Sequence, residues 1–177
     1  MLVYIRKGII MESSMEDLER NAYRLGEKYE RECTGCAQTA LAAVFDTLGI
    51  ENDDVFRSAS GLADGLGLTG DGSCGALVGG ALAIGYLFGR KRTELPDMMK
   101  PMKSYLLVKA LHEEFVKTYG TCRCADLQTS LMGRTFNLLD PTQFKAAMAF
   151  GMMDHCSKVV GSAAQMATGI ILEAQKD

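Results

Sequence analysis

The chain has no tryptophan and only three prolines, and neither sign of charge is concentrated in one place. Few prolines leave helices free to run uninterrupted. Its 19 basic and 22 acidic residues are interspersed, for a formal charge of −3. No basic stripe is present to neutralise phosphates, so nucleic acid is not an expected partner. No apolar run approaches the roughly 20 residues that span a bilayer, and no membrane insertion is expected. The glycine-rich stretch lacks the GK[ST] ending of a phosphate loop and a strand before it, which argues against nucleotide binding. The opening "MLVYIRKGII" is apolar but has no cleavable-signal layout and no twin arginines. Residues 1–11 read as an N-terminal arm or strand, and the expected location is cytoplasmic.

What is abundant is helix formers, apolar residues (47%) and cysteine. A chain of 177 residues can bury one real core. Residues 12–177 are expected to form a single all-α domain, a compact bundle of about six to seven helices. "SSMEDLERNAYRLGEKYERE" is a first helix, capped by Ser13 or Ser14, with a mostly polar face that reads as peripheral. A second helix starts near Cys36, carries Ala37, Leu41, Val44 and Leu48 on one stripe, and stops at Gly49. Asn52 caps a short helix. The loop "GLADGLGLTGDGS" follows, and Ser73 is the expected cap of the uncharged helix "CGALVGGALAIGYLFG". Gly75, Gly79 and Ala83 recur at spacing four, which lets a neighbouring helix approach closely. Further helices follow Pro101, Cys124 and Asp140, and the last runs from about Asp154 to Ala174.

The six cysteines are Cys33, Cys36, Cys74, Cys122, Cys124 and Cys156. In a reducing compartment such residues are buried inertly, bind metal or react. Cys36, Cys74, Cys124 and Cys156 each fall at a predicted helix start. Free N–H groups and a positive partial charge at such starts would lower a thiol pKa, and would equally favour an anionic cluster. Four sulfurs alone do not separate iron–sulfur from zinc. "CTGC" (Cys33 and Cys36) has the spacing of a thiol–disulfide pair, but without the strand that precedes thioredoxin-type motifs. His112 reads as a surface residue, and His155 as a neighbour of Cys156 rather than a ligand. "PDMMKPM" and "AFGMM" read either as irregular core filling or as a soft docking surface.

The blocks "GCAQTAL", "GSCGALVGGAL", "YGTCRCADL" and "HCSKVVGSAA" resemble those of the C_GCAxxG_C_C family of redox-active proteins. The likeness runs from about Glu32 to Leu172, and the second block carries the Cys-Gly-Ala-x-x-Gly signature as Cys74, Gly75, Ala76 and Gly79. That family resembles the non-haem part of split-Soret cytochromes. The resemblance implies an iron–sulfur cluster, [2Fe–2S] favoured, held by Cys36, Cys74, Cys124 and Cys156, with Gly75 beside it. No CxxCH is present, so no c-type haem is expected. Cys33 and Cys122 exceed the pattern and are candidate additional ligands of a larger cluster. The implied function is metal-binding electron transport or redox sensing, non-enzymatic, with a redox partner protein and a homodimer left open. The alternatives are structural zinc, or a thiol–disulfide oxidoreductase using Cys33 and Cys36.

Overall fold

The computed structural model of the protein describes residues 2–6 and 9–176. Among the described residues eight α-helices carry the fold: α1 (Met15–Cys33), α2 (Cys36–Leu48), α3 (Asp53–Ser58), α4 (Gly75–Phe88), α5 (Met102–Tyr119), α6 (Cys124–Met132), α7 (Pro141–Ala149) and α8 (Met152–Ala174). An antiparallel ribbon precedes them, β1 (Leu2–Arg6) against β2 (Ile9–Ser13), with Leu2 opposite Ser13 and Arg6 opposite Ile9. No helix among the described residues is long and apolar enough to cross a membrane.

The helix boundaries follow local chemistry. Ser14 and Asp17 form a reciprocal capping box at the start of α1. Asn52 and Asp140 accept backbone N–H bonds at the starts of α3 and α7, and Pro141 fills the first position of α7. Gly49, Gly120 and Gly133 end α2, α5 and α6 in the left-handed conformation. Two expected starts are corrected. Cys74 itself, not Ser73, is the residue before α4. α8 begins at Met152 after a left-handed Gly151, so Cys156 lies in its second turn rather than at its start.

The core lies where α1, α2, α4, α5 and α8 meet. α1 is not peripheral. It lies along α8 and buries Leu18, Ala22, Gly26 and Glu30. A narrow stripe of small residues hides this face in a charged helix; a Cβ built on Gly26 would lie 3.0 Å from the Gly161 Cα, so the two backbones touch there. α4 is pressed against α2 in the same way. A Cβ on Gly79 would come 2.3 Å from the Ala37 carbonyl oxygen and 3.1 Å from the Leu41 nitrogen. A second, smaller core joins Phe136, Ala147 and Met152 under α7.

Candidate functional site

Three helix ends are brought together by backbone contacts. The Cys74 N–H donates to the Cys122 carbonyl (2.7 Å) and the Cys124 N–H to the Gly72 carbonyl (3.0 Å). This two-bond clamp sets the starts of α4 and α6 side by side. The α2–α4 seam adds Cys36, because a Cβ on Gly75 would lie only 2.4 Å from the Cys36 Sγ. At the far end of α1, Arg31 pairs with Asp154 (2.6 Å) and draws in the first turns of α8, which carry Cys156. The four cysteines consequently line one cavity of about 240 Å³. Leu68, Leu131, Leu138, Phe144 and Met148 supply much of its apolar wall.

Two carboxyl groups also line this cavity, and neither was singled out from the sequence. Glu30 is 5% exposed, and the Thr39 hydroxyl donates to its Oε2 (2.6 Å). Burial, opposed by that one hydrogen bond, raises its pKa to about 7. Asp64 leaves the glycine-rich loop with φ +47°. Its N–H donates to the Cys36 Sγ (3.5 Å), and its Oδ1 accepts from the Cys124 thiol (3.0 Å) and from Gln128 Nε2. Its Oδ2 is buried with no hydrogen-bond partner. Desolvation raises the Asp64 pKa as well. For Asp64 the only available signal was a loop tight enough to turn inward; for Glu30, in a helix dense with glutamate, there was none within the helix itself.

Helix starts do not produce thiolates here. The first N–H groups of α4, at Ala76 and Leu77, draw the Cys74 pKa down, but burial outweighs them and leaves it at about 11. Burial, and then the neighbouring Cys74, push Cys156 to about 12 and raise Cys36 and Cys124 strongly. For Cys124 the Asp64 carboxylate adds to the rise. A dipole worth about 1 kcal/mol cannot offset removal of a charge from water into an apolar wall. The resting groups are neutral thiols, and all six cysteines are free.

The expected metal centre is overturned. Among the described residues no group of three or more His, Cys, Asp or Glu is placed to hold a metal ion. Three of the sulfurs are instead turned to protein groups. Cys36 faces the Asp64 N–H, Cys74 the start of α4, and Cys124 the Asp64 carboxyl. The iron–sulfur cluster, the zinc alternative and metal-based electron transport are therefore corrected. The extra ligands fare no better. Cys33 is exposed at the end of α1, and Cys122 packs against the main core. Neither lines the cavity, so the "CTGC" motif sends only one of its two thiols, Cys36, inward. Gly75 acts as a spacer that admits the Cys36 sulfur. His112 is exposed, and His155 is not among the residues lining the cavity.

A bundle whose cysteines from four separate helices or their caps share one cavity defines the class, and comparison with known proteins gives the family. The model described as "Putative redox-active protein (C_GCAxxG_C_C)" matches residues 34–170, and the chain belongs to that family. A protein of Archaeoglobus fulgidus, described only as uncharacterized, is 29% identical over 122 residues, covering 66% of this chain and 80% of its own. No solved structure matches the chain.

Proposed function

We propose that the protein is a two-electron thiol redox protein whose cavity cysteines, with Cys74 at their centre, exchange with a small apolar disulfide. The observation that carries this reading is the meeting of four thiols, those of Cys74 and Cys124 buried, and Glu30 on one apolar cavity. Cys74 stands at the start of α4, between the α2–α4 seam that brings in Cys36 and the backbone clamp that brings in the start of α6 with Cys124. Cys33 takes no part. The family description, a redox-active protein, is consistent with the same chemistry.

The exchange proceeds in two balanced steps. Glu30, as carboxylate, takes the proton of one cavity thiol. The resulting thiolate attacks the incoming disulfide, a mixed disulfide forms, and the first leaving thiolate recovers the proton from Glu30. A second cavity thiol loses its proton by the same route and attacks the mixed disulfide. The second leaving group departs as a thiol. The protein gains one disulfide and loses two electrons and two protons; the small disulfide takes up both and becomes two thiols. A carboxyl titrating near neutrality is suited to this relay. Burial keeps the thiols unreactive until such a group removes the proton.

Reduced protein is incubated with dipropyl disulfide or, in parallel, with the charged disulfide of cystamine, then acid-quenched, alkylated and peptide-mapped. The expected product is an intramolecular disulfide that includes Cys74, formed faster with the dipropyl compound and absent in Cys74→Ser. Modification of Cys33 alone, or equal rates with both disulfides, would overturn the reading.

A further inference from the structure

α5 is apolar on two sides. Leu111 and Phe115 face the core, while Met102, Tyr105 and Leu106 form an exposed stripe on another face. The segment leading into the helix exposes Leu95, Met98 and Met99 as well. Met98 is 82% exposed, Met99 68% and Leu106 63%. Large apolar side chains this exposed and this close in the chain mark an interaction surface. Methionine is the residue whose flexible thioether adapts to a partner. None of the six lines the thiol cavity.

The charge around them is predominantly basic. Arg90, Lys91, Arg92, Lys100 and Lys103 stand against Glu94 and Asp97, a net +3 in a chain of net −3. Both carboxylates are engaged locally. Glu94 accepts from the Lys91 N–H (2.8 Å) and pairs with Lys100 (3.1 Å). Asp97 accepts from the N–H groups of Met99 (2.9 Å) and Lys100 (3.2 Å). Arg90 is held on the Asp97 carbonyl (3.0 Å), and Lys103 on the Ala174 carbonyl (3.0 Å). Lys91 and Arg92 are exposed beside the apolar stripe.

We propose that this surface, residues 90–106, docks a partner protein presenting an acidic amphipathic helix. Charge complementarity selects the occupant. The partner's apolar face covers the methionines, and its flanking carboxylates meet Lys91 and Arg92. A second copy of this chain is disfavoured, since a two-fold contact would oppose one basic surface to another. The surface acts independently of the thiol chemistry.

The test uses the full chain and a fluorescent three-heptad peptide with leucine on one face and glutamate on its flanks. A matched peptide carries lysine in place of glutamate. The acidic peptide should bind, lose about tenfold in affinity at high salt, and lose about tenfold on Met98→Ser with Met99→Ser. The lysine peptide should not bind the parent. Lys91→Glu with Arg92→Glu should reverse the preference, a readout that no loss of folding imitates. Absence of acidic-peptide binding, or equal binding of both peptides, overturns the proposal. So does binding to vesicles of phosphatidylglycerol and phosphatidylcholine in place of the peptide. So does a concentration-dependent dimer in sedimentation that the methionine changes abolish.

Discussion

Substitution of Gly79 by alanine should destabilise the protein, whereas the same change at Gly85, further along α4, should stabilise it. At Gly79 the new methyl would lie 2.3 Å from the Ala37 carbonyl oxygen, 2.9 Å from the Ala40 Cβ and 3.1 Å from the Leu41 nitrogen. Favourable carbon contacts begin near about 3.5 Å, so the overlap is roughly 1 Å. Two of the three obstacles are backbone atoms of α2 and cannot rotate away. Overpacking against a fixed wall costs about 3 kcal/mol, at the upper end of the usual range. Alanine returns about 1 kcal/mol through its better helix propensity. The net loss, about 2 kcal/mol, lowers the melting temperature of a chain this size by about 4–8 °C. At Gly85 no atom beyond its own chain neighbours and helix backbone lies within 4 Å of the added methyl. Only the propensity gain remains, and melting should rise by about 2–4 °C. Thermal unfolding followed by circular dichroism compares the three proteins under one condition. A G79A protein that melts at or above the parent, or a G85A protein that falls as far as G79A, refutes the account of the α2–α4 seam.

Burial of Glu30 makes stability depend on pH. The folded carboxyl holds its proton up to about pH 7, whereas the unfolded one releases it near pH 4.5. Stability should therefore fall as pH rises between those values, by about 3 kcal/mol in total, and Glu30→Gln should flatten that slope in urea titrations. The same variant should lose the rise in disulfide-exchange rate through about pH 7 that the parent shows in stopped assays with dipropyl disulfide, because the amide accepts no proton. Brief alkylation of the native protein should label exposed Cys33 first, and Cys74 and Cys124 only after unfolding, as read by mass spectrometry of the digest. Gln128→Leu removes a hydrogen bond to the buried Asp64 and should cost about 1–3 kcal/mol in chemical denaturation.

Much of the fold was legible because its punctuation is local. Ser14, Asn52 and Asp140 cap helices by bonds within three residues, and Gly49, Gly120 and Gly133 end them. The close approach at Gly79 was also readable, since small residues at spacing four serve little else in an uncharged helix. The start of α8 was misplaced because a left-handed Gly151 opens it before the acidic residue that looked like its cap. The site was legible only as a list of cysteines. Their titration depends on what covers them, and Leu68, Leu138, Phe144 and Met148 reach the cavity from segments distant in the chain. Glu30 escaped notice for the opposite reason. In a helix dense with glutamate, nothing marks the one that turns inward except Thr39, which lies in the next helix.

The pairing of α1 with α8 imposes an order on the life of the chain. During synthesis Cys36 emerges well before Cys156, and α8, which closes the cavity wall and lies along α1, appears after the other seven described helices. At ordinary elongation rates the interval from Cys36 to the end of α8 is on the order of ten seconds. Throughout it the thiols lack the burial that later holds them protonated. A nascent chain is thus at its most oxidisable before α8 has docked, and any chaperone that shields it would need to cover the α2–α4 pair until then.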